Sequence, residues 1–266
     1  MGQSIIEVVI INFAIVLALM FLLWLLSIQL RDVSIVDLAW GAGFAIISWT
    51  TVLQITSVGP RGLLLLTLAT VWGLRLSVYL AFRNWAHQED YRYRVMRQAR
   101  GDNFWWISLI TVFMLQGLLM WFISWPLQFG ISIGAGVIGP VDLAGLGLWI
   151  VGFTFEALGD FQLARFKARP ENKGRVLTTG LWRYTRHPNY FGDFCVWWGF
   201  YLIAAAGGAW WTIGSPLLMS GLLMFVSGVK LLESSIVDRR PEYAQYIKRT
   251  NAFFPGPPRS EGSSVG

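Results

Sequence analysis

Long apolar stretches alternate along this chain with short segments that are rich in charged side chains. A helix needs about 20 apolar residues to cross the hydrocarbon core of a bilayer. By that length the sequence predicts an all-α integral membrane protein, a bundle of about seven transmembrane helices. The predicted spans are residues 5–29, 34–57, 62–82, 104–126, 132–157, 190–206 and 210–231.

The basic side chains are concentrated in three polar segments, 83–103, 158–188 and the part after residue 231. The intervening segments 127–131 and 207–209 contain no Lys or Arg. Because cytoplasmic loops of membrane proteins carry an excess of Lys and Arg, the three basic segments are predicted to form a cytoplasmic polar cap. With seven spans the N-terminus then lies outside and the C-terminus inside.

Composition agrees with a membrane protein and excludes several kinds of site. Hydrophobic residues make up 55% of the chain and charged residues 14%, and the mean hydropathy is +0.53. Cys195 is the single cysteine, and the two histidines are His87 and His187, so a metal site is not expected. The net charge of +6 lies in a few loops, which indicates topology and anionic ligands rather than nucleic acid. Arg61, in a predicted outer loop, departs from the positive-inside rule.

The domain organisation is expected to be simple. Residues 1–254 are predicted to form one transmembrane helical domain, in which 150–254 carry the cofactor-binding region. Residues 255–266 are rich in Pro, Gly and Ser and are predicted to be a disordered tail. Internal repeats, which would indicate an inverted-repeat transporter, are not visible in the sequence.

The densest polar cluster in the sequence runs from residue 156 to residue 193. Glu156 and Asp160 are four residues apart, as are Asn189 and Asp193, so each pair shares one helix face. Carboxylates and amides accept hydrogen bonds from ribose hydroxyls, whereas the neighbouring Arg and Lys side chains neutralise phosphates. The cluster therefore predicts a nucleotide cofactor. The alternative is a basic cytoplasmic loop with helix caps.

A second candidate site lies at the start of the second span. Asp37 is about one turn into the span, with Trp40 on an adjacent face. A carboxyl group in an apolar pocket can serve as a proton donor. The alternative is a structural ion pair between Asp37 and Arg75, because buried ions must be paired.

Two further polar segments admit two interpretations each. In the loop after the third span, Arg83, Asn84 and Arg92 either bind a phosphate or lie on a solvated surface. After the last span, Glu233 precedes a helix in which Tyr243 and Tyr246 are three residues apart. That helix is predicted to be either a lid over a cofactor or an interfacial anchor.

These motifs resemble the membrane steroid 5-alpha-reductase family, in particular its bacterial branch. The resemblance rests on Gly-Leu-Trp-Arg-Tyr-Thr-Arg-His-Pro-Asn-Tyr-Phe-Gly-Asp at residues 180–193, a Trp-rich span, and Glu233 followed by Pro-Glu-Tyr-x-x-Tyr. It implies a seven-helix fold that uses NADPH to reduce the carbon–carbon double bond of a lipophilic enone, such as a 3-oxo-steroid or an isoprenoid. A lipid bilayer and a lipophilic small molecule are the expected partners, without nucleic acid or an obligate protein partner.

The family's functional residues carry over only in part. Asp160, Tyr184, Asn189 and Asp193 match its cofactor positions, with Asp193 in place of a glutamate, and Lys167 stands where other members have Arg. The family's Gln-Glu catalytic pair is absent, and Asp37 is the candidate acid in its place. The predicted catalytic residues are Asp37, Trp40 and Tyr79. The predicted cofactor-binding residues are Glu156, Asp160, Lys167, Arg183, Tyr184, Arg186, His187, Asn189, Asp193, Glu233 and Tyr243.

The Arg-His-Pro-x-Tyr-x-Gly motif at residues 186–192 is also similar to the isoprenylcysteine carboxyl methyltransferases. Those enzymes bind S-adenosylmethionine, so a membrane methyltransferase is the alternative function. Asn189 with Asp193, and the segment around Asp160, favour the reductase. The paired glutamates usual in the methyltransferase tail are not matched here, because Glu233 is followed by Ser234.

Overall fold

The computed structural model of this chain describes residues 3–84, 89–133, 136–226 and 242–259. These ranges are helical apart from turns and one isolated bridge between Thr185 and Asn251, so the predicted all-α fold is confirmed. The α-helices are α1 (Ile5–Leu30), α2 (Ile35–Gln54), α3 (Pro60–Asn84), α4 (Tyr91–Arg100), α5 (Phe104–Ser108), α6 (Leu115–Ile123), α7 (Trp125–Ile133), α8 (Pro140–Lys167), α9 (Pro188–Ala206), α10 (Gly214–Gly221) and α11 (Glu242–Arg249). Two π-helical turns, Leu109–Met114 and Leu222–Val226, follow α5 and α10.

Within the described ranges, five helical stretches are long and apolar enough to cross a membrane, which is the pattern of a multi-pass membrane protein. The two remaining predicted spans correspond to α9 and to the shorter apolar stretch Trp210–Val226, so the count of seven stays a prediction. The five stretches are Ile5–Leu30, Ile35–Gln54, Pro60–Asn84, Tyr91–Ile133 and Pro140–Lys167.

One predicted loop is wrong. Residues 127–131 lie inside α7, and the turn before the next helix includes residues 136–139. Ser124 marks only a local break, because its carbonyl oxygen accepts hydrogen bonds from the backbone of Leu127 (2.9 Å) and Gln128 (3.0 Å). Pro126 is tolerated there because a proline near the start of a helix loses no intrahelical hydrogen bond.

The chain divides into two compact units, each described here by itself. The first unit comprises Met1–Asp142 and Ile203–Ser215, and the second comprises Leu143–Leu202 and Pro216–Gly266.

In the first unit, α2 and α3 approach closely at a pair of glycines. A Cβ atom built on Gly41 would collide with the carbonyl oxygen of Gly73, and the converse also holds. Such small-residue contacts are the usual way for membrane helices to pack tightly. A buried polar network holds α1 against α2 and α7, since the Asn12 amide donates to Thr51 (2.8 Å) and to Gln128 (3.0 Å).

In the second unit, three glycines spaced seven residues apart on α8 face α9. Cβ atoms on Gly152 and Gly192 would each meet the backbone of the opposite helix, and a Cβ on Gly199 would lie 2.8 Å from the carbonyl oxygen of Gly145. A Cβ on Gly159 would lie 3.3 Å from the Asn189 nitrogen. The two helices are therefore antiparallel and in close contact along this line of glycines, which we call the α8–α9 seam. The contact brings the C-terminal part of α8 to the start of α9.

Replacing Gly192 by alanine is expected to destabilise the protein by roughly 1–3 kcal/mol, because the added methyl group would push α9 away from the α8 backbone. Thermal unfolding of the purified variant in detergent measures the loss. Gly147→Ala is the matched control on α8, since a Cβ there meets nothing within 4 Å. Equal unfolding temperatures for the two variants would contradict the close contact.

The segment predicted to be a disordered tail is partly held by the second unit. The Gly256 nitrogen donates to the Tyr184 carbonyl oxygen (3.0 Å), and the Arg259 nitrogen donates to the Arg249 carbonyl oxygen (2.9 Å). Backbone groups of Tyr184 and of the end of α11 therefore bind residues 255–259. Residues 260–266 lie outside the described ranges.

Candidate functional site

The helix ends at the α8–α9 seam bring together two of the predicted cofactor-binding residues. The Asn189 amide donates a hydrogen bond to Asp160 Oδ1 over 3.2 Å. Asp160 is 3% exposed, and Glu156, one turn earlier on α8, is also 3% exposed. Burying a carboxylate is costly unless hydrogen bonds or cations compensate it. Helix capping and membrane topology therefore do not by themselves account for two buried carboxylates at this end of α8.

The start of α9 fixes the positions of several residues of the segment 186–193. Pro188 is the first residue of the helix, where its fixed backbone angle is favourable. Asn189 Oδ1 accepts a hydrogen bond from the Tyr190 backbone nitrogen (3.1 Å), which leaves the amide group directed at Asp160. Asp193 is half-buried and shares the Asn189 face of α9. His187 is buried, and its ring stacks on Tyr190 with 5.5 Å between the ring centroids.

Arg186 has a structural role that its sequence position did not suggest. Its guanidinium donates to the carbonyl oxygens of Ile247 (3.1 Å) and Thr250 at the C-terminal end of α11. A cation at a helix C-terminus satisfies carbonyl groups that have no intrahelical partner. The contact accounts for the burial of Arg186 and holds α11 against the motif.

The remaining predicted cofactor residues differ in how exposed they are. Lys167 and Arg183 are exposed, and Tyr184 is 45% exposed. Tyr243 is buried on α11, where its ring meets Tyr246 edge-on at 5.6 Å. Glu233 lies outside the described residues.

A second polar cluster surrounds Asp37 in the first unit. Arg92 Nη2 forms an ion pair with Asp37 Oδ2 at 2.7 Å, and the Tyr93 hydroxyl donates to Oδ1 at 2.7 Å. The Gln116 amide donates to the Tyr93 oxygen at 3.2 Å. The cluster is partly accessible, because the side chain of Asp37 is 16% exposed.

Asp90 fixes the arginine of this cluster. Its carboxylate caps α4 by accepting from the Arg92 backbone nitrogen (2.9 Å) and also binds the Arg92 side chain (3.1 Å). Burial alone would raise the pKa of Asp90, but the hydrogen bonds and charge of Arg92 outweigh burial and hold it below its ordinary value. The Asp90 nitrogen donates to Ser34 Oγ (2.7 Å), which ties the start of α4 to the start of α2.

The other two predicted catalytic residues lie in the same unit. Trp40 packs edge-on against Phe44 at 5.4 Å. Tyr79 is half-buried, and the guanidinium groups of Arg75 and Arg83 lie 5.4 and 6.0 Å from its ring centroid. The alternative prediction that pairs Asp37 with Arg75 is wrong, since the ion pair Asp37 makes among described residues is with Arg92.

Tyr93 and Gln116 were missed by the sequence argument. Tyr93 is one of four consecutive aromatic or basic residues, 91–94, and nothing in the spacing singles it out. Gln116 gave a usable signal, because an amide within an apolar span is expensive unless it has a polar partner. Its partner is the Tyr93 hydroxyl.

The chemistry of the two clusters differs. Glu156 and Asp160 are buried carboxylates of the kind that bind sugar hydroxyls, and the half-buried Asn189 donates to Asp160. The Asp37 cluster contains a hydroxyl donor held between a carboxylate and an amide, which is an arrangement that can deliver a proton. In the described part of the chain, no group of three His, Cys, Asp or Glu side chains is placed to hold a metal ion.

Residues 23–250 match the model of a family described as "Protein of unknown function (DUF1295)". The chain is also similar to an uncharacterized protein of Schizosaccharomyces pombe, with 27% identity over 272 residues, which covers 91% of this chain and 77% of the yeast protein. No solved structure gives a significant match.

Proposed function

The chain belongs to the DUF1295 family, which is related to steroid 5-alpha-reductase-like membrane proteins, and on that premise we propose that it is an NADPH-dependent membrane reductase. Its substrate is the carbon–carbon double bond of a lipophilic enone, such as a 3-oxo-steroid or an isoprenoid. The observation that carries the proposal is the contact between Asn189 and Asp160 beside a second buried carboxylate. The protein lies in a bacterial inner membrane, with its N-terminus outside and its C-terminus in the cytoplasm.

The buried cluster suits the ribose portion of a dinucleotide. Glu156 and Asp160 accept hydrogen bonds from hydroxyl groups, and Asn189 positions Asp160. Lys167 is an exposed cation and can neutralise a phosphate of the dinucleotide. Arg186 is not assigned to the phosphates, because its guanidinium binds the end of α11. The dinucleotide, when bound, supplies a hydride.

The Asp37 cluster supplies the proton that an enone reduction also needs. The Tyr93 hydroxyl, which donates to Asp37 Oδ1, carries the transferable proton. After that proton passes to the reduced substrate, Tyr93 regains a proton from water. Arg92 keeps the carboxylate in place. The catalytic role predicted for Asp37 thereby becomes a positioning role, and the donor becomes Tyr93. Trp40 and Tyr79 remain predicted catalytic residues.

The test of the cofactor is direct. Protein purified in mild detergent is extracted, and the nucleotide that remains bound is identified by mass spectrometry, followed by titration of emptied protein with NADPH. Recovery of NADPH supports the reductase. Recovery of S-adenosylmethionine or its demethylated product would instead support the methyltransferase.

Asn189→Ala is expected to weaken NADPH binding by roughly 10- to 100-fold, which corresponds to loss of a hydrogen bond to a charged group. Titration of the purified variant measures the change. Asn172→Ala is the matched control in the same unit. Among the described residues, the Asn172 amide donates to the Phe166 carbonyl oxygen (2.9 Å) and not to a carboxylate. Unchanged NADPH affinity in the folded Asn189 variant would refute the assignment.

A further inference from the structure

A basic groove opens on the second unit beside α11. It has a volume of about 720 Å³. We call it the arginine groove, and its polar lining includes Thr178, Thr179, Arg183, Glu242, Arg249 and Arg259. All three arginines are exposed, so their guanidinium groups are accessible to a ligand.

The walls of the groove are held by hydrogen bonds from distant parts of the chain. The Arg259 backbone nitrogen donates to the Arg249 carbonyl oxygen (2.9 Å), and the Tyr246 hydroxyl donates to the Trp182 carbonyl oxygen. Thr185 Oγ1 donates to the Phe253 carbonyl oxygen (2.8 Å). Two of these bonds join segments more than 60 residues apart, so the backbone that carries the groove is ordered before a ligand binds.

The balance of charge selects an anion. Three arginines and one acidic residue, Glu242, line the groove, so its formal charge is positive. A guanidinium presents a planar fork of donors that fits the oxygens of a phosphate. The threonine hydroxyls add further hydrogen-bond donors. Because every donor here is a side chain on an accessible wall, the site suits a phosphate that enters from the surrounding water or from the membrane surface.

We infer that the arginine groove binds a phosphate-bearing anion, separate from the ribose cluster at Asp160. The phosphate comes either from an anionic lipid headgroup or from a soluble phosphate compound. Both sources present the same oxygens to the groove, and binding of either is expected to weaken with added salt, because exposed charges are screened. The inference does not depend on reductase activity, since it concerns binding alone.

The test uses the full-length protein and two probes. Inorganic pyrophosphate is titrated against protein in neutral detergent by calorimetry. Retained lipid is counted by native mass spectrometry after release from vesicles of phosphatidylcholine, with and without phosphatidic acid. The variant Arg249→Gln/Arg259→Gln is expected to lose affinity by about tenfold or more for the probe that binds.

Two matched variants make the result specific. Arg165→Gln/Arg169→Gln removes the same charge from exposed positions of the same unit that do not line the groove, and it is expected to bind like the wild type. Glu242→Gln removes the opposing carboxylate and is expected to tighten binding. Loss with pyrophosphate identifies a soluble phosphate, and loss with phosphatidic acid identifies a lipid headgroup; either supports the site. Equal losses in the two arginine variants, or no binding of either probe to the wild type, would overturn it.

Discussion

Asp37→Asn is expected to lower the turnover of an enone substrate by about 10²- to 10⁴-fold while NADPH binding is unchanged. The amide has the shape of the carboxylate but no negative charge, so it loses the ion pair with Arg92 and holds the Tyr93 hydroxyl less firmly. Tyr93→Phe removes the proposed donor itself and is expected to cause a loss of the same size. Rates are measured by oxidation of NADPH in detergent or in reconstituted vesicles.

The adjacent tyrosine provides the control for this experiment. Tyr91→Phe makes the same chemical change two residues away, on a side chain that is 61% exposed, and is expected to leave turnover intact. A shift in the pH dependence of turnover for Asp37→Asn, at constant NADPH affinity, would separate a role in proton delivery from a purely structural role. Full activity of folded Tyr93→Phe would exclude this cluster from the chemistry.

Arg61→Leu is expected to lower the free energy of unfolding by about 3 kcal/mol, the largest stability effect we anticipate. Arg61 binds both carboxylate oxygens of Asp142, at 2.6 and 2.9 Å, and Asp142 is fully buried. Removing the guanidinium leaves that carboxylate without its counter-charge. The Gly139 nitrogen, at 2.8 Å, still donates to it.

A double variant distinguishes the ion pair from loss of packing. Arg61→Leu/Asp142→Leu replaces both charges by apolar side chains and is expected to recover most of the stability, because the stranded charge is gone. Arg31→Leu is the control for loss of a positive charge at an exposed position. Thermal unfolding in one detergent compares all four proteins. A double variant no more stable than Arg61→Leu would show that packing, not charge, accounts for the loss.

The Arg61–Asp142 pair also explains why Arg61 departs from the positive-inside rule. The rule concerns cations that must stay in water on one side of the membrane. The charge of Arg61 is compensated by the buried carboxylate of Asp142, to which its guanidinium donates two hydrogen bonds. The sequence shows the two residues 81 positions apart, and only the packing of α3 near the start of α8 reveals that they neutralise each other.

The sequence alone determined that this chain folds as membrane helices, because hydrophobic length is a local property and a helix satisfies its own backbone hydrogen bonds. The i,i+4 spacing of Glu156 with Asp160 and of Asn189 with Asp193 likewise follows from helix geometry. The sequence did not determine where a helix continues through a proline, since the Ser124–Pro126 break depends on local hydrogen bonds. The predicted loop at 127–131 was wrong for that reason.

Only the tertiary structure decided which polar groups meet. Asp37 pairs with Arg92 rather than Arg75, because Asp90 and Ser34 fasten the start of α4 to that of α2. Asp160 meets Asn189 because glycines on α8 and α9 let the two backbones approach, and Arg186 turns towards α11 instead of a ligand. Charge and hydrogen bonding act at distances of a few ångströms, and sequence spacing does not report those distances between separate helices.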